Sequence, residues 1–339
     1  MMATIAEYIE PVLRGENLTF EQAGKVLDII FEGQVPEAQI AAFLTAMRDK
    51  AVTAAELAGL AKSLRAHAVK VTVDVDNLVD TCGTGGAAVK TFNISTAAAL
   101  VAAGAGVHIA KHGNRGITSK CGSADVLAEL GVNIEAGADI VAHCIKEAGI
   151  GFMFAPKYHP AMKYVQPVRK ALGFRTVFNI LGPLANPAEA QAQVMGVADE
   201  ELMPIVAEAL NLLGVQRAMI VHSSGLDEIS TMGPTKITEL KEGKLTTWTL
   251  YPGDCGMRTT DLDTLAGGDA KNNAEIVKNI LAGKDDGPRK DIVVLNAAAA
   301  IIVCGLANDF ASAVNVARQT IDNGEAMHRL KKLVQASKN

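Results

Sequence analysis

Along the first 70 residues, apolar side chains return with a helical period. Ile40, Phe43, Leu44 and Met47 keep the i, i+3, i+4, i+7 spacing of a buried helix face. Thr19-x-x-Gln22 and Thr53-x-x-Glu56 are capping-box signatures at helix starts. Pro36 stands where a further helix can begin, and Gly15 and Gly33 separate the periodic segments. No strand-like run interrupts this stretch, so the pattern predicts a small all-α unit.

Further on the pattern changes. Short β-branched runs alternate with alanine-rich helical segments: a strand at 79–80, a helix over 96–105, a strand at 107–110 and a helix near 123–130. More strands are expected at 193–197, 218–222, 236–240 and 245–250. Such alternation predicts an α/β unit with a mainly parallel central sheet, whose ligands gather at the carboxyl ends of strands. Between its two portions, Pro156, Pro160, Pro167, Pro183 and Pro187 punctuate short helical pieces. This crossing segment is expected to pack with the N-terminal helices. The division is therefore a helical domain over 1–72, completed by about 165–188, and an α/β domain formed by 73–164 and 189–339.

Composition narrows the function classes. With 339 residues, 49% of them hydrophobic and a net charge of −5, the chain can bury a large core and lacks the broad basic surface that nucleic acid requires. Five scattered cysteines without CxxC spacing suit a reducing cytosol, not a disulfide framework or zinc site. The N-terminus has no signal-peptide pattern, and the most apolar runs (97–110 and 296–307) are short and broken by glycine or followed by it. A cytoplasmic protein with no membrane or nucleic-acid partner is the expectation.

Four stretches carry candidate chemistry. In DTCGTGGAAVKTFNIST, Gly83, Gly85 and Gly86 let the backbone approach an anion, while Asn93, Ser95 and Thr96 fall where side chains can cap a helix. An ordinary strand–turn–helix connection would read similarly. KHGNRGITSKCGSAD gathers Lys111, His112, Arg115 and Lys120 on what reads as a loop, either a local anion site or a solvated basic loop. Asp227 and Glu228 follow a strand and suit Mg²⁺, though such pairs are commonly just exposed charge. Arg169 suits a carboxylate, or is simply a surface arginine.

Taken together, GTGG, KTFNIST, KHGNR…SKCGSAD, VRKALGFRTVFNILGPLANP and GLDE resemble the anthranilate phosphoribosyltransferase family over nearly the whole chain, in order. The resemblance implies a Mg²⁺-dependent homodimer with a nucleoside phosphorylase/phosphoribosyltransferase-like fold, acting in tryptophan biosynthesis. Anthranilate's amine would displace pyrophosphate from 5-phosphoribosyl 1-pyrophosphate (PRPP). It also implies that Gly83, Thr84, Gly85 and Gly86, with Ala87 beside them, form the pyrophosphate turn. Thr91 and the run Asn93, Ile94, Ser95 and Thr96 would add PRPP contacts. The second PRPP segment would be Lys111, His112, Gly113, Asn114, Arg115, Gly116, Ile117, Thr118 and Ser119, with Ser123. Gly83, Asn114 and Arg169 would meet anthranilate, and Ser95, Asp227 and Glu228 would hold the metal. Lys111, Asn114 and Arg169 would act by positioning and charge, with His112 as a further candidate.

The chain departs from the family at Ala87, where an aspartate is usual, and Lys90 is a candidate for compensating charge. Two other readings compete. A pyrimidine nucleoside phosphorylase of related fold would carry KxSxGGVGD where this chain has GTGGAAVK. A non-catalytic nucleic-acid-binding relative would favour a basic surface.

Overall fold

The structure, a computed structural model, describes residues 4–86, 89–116 and 120–338. The N-terminal unit comprises α1 (Ala6–Leu13), α2 (Phe20–Phe31), α3 (Glu37–Lys50) and α4 (Ala54–Ala66). Both capping boxes close: Thr19 and Thr53 accept the N–H three residues on, and Gln22 and Glu56 accept in return. Glu56 does more. Fully buried, it also takes the Leu18 N–H and the Lys50 ammonium, each at 2.8 Å, and so ties α4 to α3 and to the loop leading into α2. Gly59 lets α4 lie against α2, since a Cβ there would stand 2.1 Å from the Phe20 carbonyl oxygen.

The α/β unit follows as β1 (Val79–Gly83), α5 (Ile94–Gly104), β2 (Ile109–Gly113), α6 (Ser123–Glu129), α7 (Ala138–Ala148) and β3 (Ile150–Phe154). The crossing segment supplies α8 (Ala155–Tyr158), α9 (Gln166–Leu172) and α10 (Phe178–Leu184). Then come β4 (Ala192–Gly196), α11 (Leu202–Leu212), β5 (Arg217–Ser223), β6 (Thr235–Lys241) and β7 (Lys244–Leu250). The chain closes with α12 (Leu262–Leu265), α13 (Ala270–Leu281), α14 (Pro288–Cys304), α15 (Phe310–Asp322) and α16 (Glu325–Ala336).

Among the described residues one seven-stranded sheet runs in the order β3-β2-β1-β4-β5-β6-β7, parallel through β5 and antiparallel in its last two pairs. Successive strand residues face different cores. Val194 and Met219 join the cluster around α5 and α14, while Met195 and Ile220 join one that contains the N-terminal helices. Val168, Phe178 and Leu181 of the crossing segment belong to that second cluster, so it does pack with the N-terminal helices.

Two strand expectations change. β3 was not anticipated: its IGFMF run is short and apolar throughout, and such a run has no period to tell strand from helix. β2 starts two residues later and ends three residues later than hydrophobicity alone suggests, and it takes in Lys111 and His112. The register with β3 over Ile109–Gly113 holds it there. Lys111 is 1% exposed, its ammonium satisfied by the Thr81 carbonyl on neighbouring β1.

Candidate active site

The sheet order reverses beside β1. The chain steps outward from β1 to β2 and β3, then returns on the other side of β1 as β4. Such a reversal leaves a crevice at the strands' carboxyl ends, the usual ligand position in open α/β sheets. Here β1 and β4 end in glycines paired in register, Gly83 and Gly196. The turn after β5 crosses close above both. A Cβ on Gly83 would lie 2.4 Å from Asp227 Oδ2, and one on Gly196 would lie 1.5 Å from the Asp227 carbonyl oxygen. The absence of a side chain at both positions is what admits the Asp227 turn.

Gly85 and Gly86 take φ of +64° and +76°, a region open to glycine without strain. The Gly85 N–H donates to Asp227 Oδ2 at 3.1 Å, and its carbonyl accepts from Arg175 Nη2 at 2.8 Å. The Thr84 N–H donates to the Gly196 carbonyl, and the Thr84 hydroxyl accepts the Ala198 N–H. Three distant parts of the chain thus shape this turn. Ala87 lies outside the described residues.

At its far side α5 starts at Ile94, two residues before the expected point, with Asn93 as N-cap. The Asn93 side chain does not cap the helix. Its oxygen instead accepts from Asn273 of α13 at 2.9 Å, and its amide donates to the Cys121 carbonyl. The capping expected of Asn93 is corrected accordingly: a buried amide partner competes successfully for it. Thr91 makes an isolated bridge with Ala266. Thr96 is buried, and its hydroxyl has no hydrogen-bond partner among the described residues.

Ser95, Asp227 and Glu228 line one cavity of about 20 Å³, enough for a water or a small ion. Glu228 Oε2 is buried and finds no hydrogen-bond partner among the described residues. Burial first, and Asp227 beside it, push the Glu228 carboxyl well above its ordinary value. A hard divalent cation would relieve both the crowding and the orphaned oxygen, so the residues present fit Mg²⁺. Asn296 fixes the acidic turn from below, accepting the Ile229 N–H and donating to the Ile229 carbonyl.

The described part of the connection from β2 to α6 is held largely by local bonds, with Asn93 reaching in to Cys121. Arg115 pairs with Asp125 at 2.8 Å, and the N–H groups of Gly116 and Gly122 donate to the same carboxylate at 2.9 Å each. The Asn114 side chain accepts the Arg115 N–H, and the Asn114 carbonyl accepts from Ala124 and Ser123. Gly113 ends β2 against Ser123, whose Oγ would lie 2.2 Å from an added Cβ. Ile117, Thr118 and Ser119 lie outside the described residues. The cation-rich loop expected here is therefore corrected. Lys111 and His112 are strand residues, and the Arg115 charge is met by Asp125. His112 is neutral: burial, then the nearby His159 with ring centroids 5.0 Å apart, hold its pKa down to about 3.

Arg169 sits half-buried on α9, 5.4 Å above the Phe178 ring and 3.4 Å from Gln166 Oε1. Gly196, Arg175, Asn273 and Asn296 were missed as site-shaping residues. Only Asn296, a lone amide in the apolar run VVLNAAAA, carried a signal in the sequence.

This pairing of a helical unit with a switch-point α/β unit defines a class. Residues 75–327 match the a/b domain of a glycosyl transferase family, and residues 6–68 match that family's helical bundle domain. The chain is 49% identical over 335 residues to the anthranilate phosphoribosyltransferase of Herpetosiphon aurantiacus, covering 98% of this chain and 99% of that one. Its fold superposes with a TM-score of 0.93 and 39% identity on the crystal structure of the Thermus thermophilus enzyme, covering both chains fully. It also matches the Saccharomyces cerevisiae enzyme in complex with PRPP and Mg, at a TM-score of 0.91 and 29% identity, covering 100% of this chain and 99% of that one. This chain belongs to the anthranilate phosphoribosyltransferase family and is a pentosyltransferase. These relatives do not favour the nucleoside phosphorylase or nucleic-acid-binding readings.

Proposed function

We propose that the chain transfers the phosphoribosyl group of PRPP to the amine of anthranilate, giving N-(5-phosphoribosyl)anthranilate and pyrophosphate in tryptophan biosynthesis. The observation that carries this reading is the interlocking of the glycine turn with the Asp227–Glu228 turn at the sheet's switch point, around one orphaned carboxylate oxygen.

PRPP lies with its pyrophosphate over Gly83, Thr84, Gly85 and Gly86, with Thr91 and the start of α5 beside it. Asn114 and Arg169 position anthranilate, the guanidinium facing its carboxylate. Ser95, Asp227 and Glu228 would hold Mg²⁺, which when bound neutralises charge on the leaving pyrophosphate.

Breaking the ribosyl C1–O bond leaves positive charge on the sugar and negative charge on the departing group. The Thr84 and Gly85 N–H groups are bonded to Gly196 and Asp227, so the Gly86 N–H is the turn donor assigned to the departing group. Lys111 contributes its charge from beneath the sheet end, since its ammonium is bonded to the Thr81 carbonyl. The aromatic amine carries a neutral lone pair near pH 7, so no strong base is needed. His112, its pKa held down to about 3, is a poor proton acceptor near pH 7, so a packing role suits it better than acid–base catalysis.

The same reading includes a homodimer in the cytosol and a helical domain over 1–72 completed by 165–188. Loss of anthranilate fluorescence on adding PRPP and Mg²⁺, with each omitted in turn, tests the reaction. Phosphate-dependent nucleoside cleavage in its place would replace the reading. Arg169→Ala should raise the KM for anthranilate about tenfold or more while leaving that for PRPP nearly unchanged. Equal losses for both substrates would reject its assignment.

A further inference from the structure

Arg175 lies in the short connection between α9 and α10, flanked by anchored chain. Thr176 and Val177 are buried on one side of it, and the Thr176 N–H is fixed to Asn179 Oδ1 at 2.9 Å. Its own side chain leaves that segment and crosses to the glycine turn. There Nη2 donates to the Gly85 carbonyl at 2.8 Å, and the guanidinium lies so close over Gly86 that an added Cβ would stand 2.2 Å from it.

The contact falls where the turn has least stiffness of its own. Gly85 and Gly86 in succession have positive φ, and glycine moves between left- and right-handed regions without a side-chain penalty. In a trans peptide the C=O and the following N–H point in opposite directions. Holding the Gly85 carbonyl therefore directs the Gly86 N–H away from Arg175. On the other side of Gly85, Asp227 holds the N–H. The two consecutive peptide planes at Gly85 are thus set by side chains 90 and 142 residues away in sequence.

We propose that Arg175 is a positioning residue for the reaction: its guanidinium, brought by the segment that carries Arg169, fixes the Gly85–Gly86 peptide in the orientation that receives the pyrophosphate end of the donor. The proposal rests on the assignment of the glycine turn to pyrophosphate. It also gives the two substrate sites a mechanical link, because the strand of chain that ends α9 is the one that sets the turn.

The test uses the full chain and inorganic pyrophosphate with MgCl₂ as the probe, followed by calorimetry, together with steady-state kinetics. Arg175→Ala should weaken pyrophosphate binding and raise the KM for PRPP, each by about tenfold, the loss of one charge-assisted hydrogen bond. The KM for anthranilate at saturating PRPP should stay within about twofold, and the thermal midpoint should hold, because the side chain is exposed. Arg175→Lys should recover part of the loss, since an ammonium can still donate to the carbonyl. Should the alanine protein not fold, Arg175→Gln provides the same comparison. Unchanged pyrophosphate affinity and PRPP KM would overturn the assignment, as would an equal rise in both KM values. A wild-type chain that binds no Mg-pyrophosphate would instead remove the pyrophosphate role of the turn, and this proposal with it.

Discussion

Two neighbouring parallel strands, β1 and β2, each end in a glycine and pass through a loop into a helix. The connection after β1 is shaped from a distance. Asp227, Arg175, Gly196 and Asn273 all come from other segments, and together they fix Gly85, Thr84 and Asn93. The connection after β2 is shaped mostly from within, with Asp125 collecting Arg115, Gly116 and Gly122 within ten residues and Asn93 reaching in to Cys121. By residue type the β2 connection is the more charged of the two. In space Lys111 is buried and Arg115 is paired, Lys120 lies exposed, and the unsatisfied oxygen lies beside the β1 connection. Counting basic residues in a motif measures composition, whereas available charge depends on which partners the fold supplies.

The largest effect should come from the distant partners. Replacing Asp227 by Asn and Glu228 by Gln keeps shape and the ability to accept the Gly85 N–H, but removes the charge that Mg²⁺ needs. Turnover should fall by about a thousandfold, and added Mg²⁺ should no longer stimulate it. Retained Mg²⁺-stimulated turnover would place the metal elsewhere and dissolve the contrast between the two connections.

A smaller loss is expected from the loop after β2. Asp125→Ala removes the acceptor of two N–H groups and one guanidinium, all local. Stability should drop by about 1–3 kcal/mol by urea denaturation. The KM for PRPP should rise more than that for anthranilate, since Arg115 and Gly116 are assigned to PRPP. If Asp125→Ala left both stability and PRPP use intact, the loop would not depend on its own carboxylate, and the comparison would fail on that side.

The parts legible from sequence share a cause. Capping boxes at Thr19 and Thr53, helical spacing through Ile40–Met47 and the β6–β7 hairpin are all set by neighbours within a few residues. The same holds for the order of the motif segments that carried the family resemblance. What escaped is non-local. β2 is placed by its register with β3, Gly83 and Gly196 are needed because another turn lies over them, and Arg175 acts across 90 residues of sequence. Asn93 shows the limit most directly. Its type and position both indicated a cap, yet Asn273, 180 residues on, takes its oxygen.

The smallest effect sharpens the charge argument at the end of β2, where His112 adds to the basic appearance of KHGNR without adding charge. Burial, then His159, hold the His112 pKa down to about 3 from 6.5, and burial holds that of His159 down to about 4. Because both folded values lie below the unfolded one, the unfolded chain binds more protons between them. The contribution to stability is full above pH 6.5 and is lost as pH falls toward 3 to 4. Between pH 6.5 and 8 neither imidazole should change charge, and turnover should show no step from them. Heteronuclear NMR of the two rings should find both neutral at pH 5.5, where an ordinary histidine is mostly protonated. His159→Gln should move the His112 value upward only modestly, since burial is the larger cause. A His112 ring that titrates near 6.5 would give the β2 connection a cation it can use, and would narrow its difference from the glycine turn.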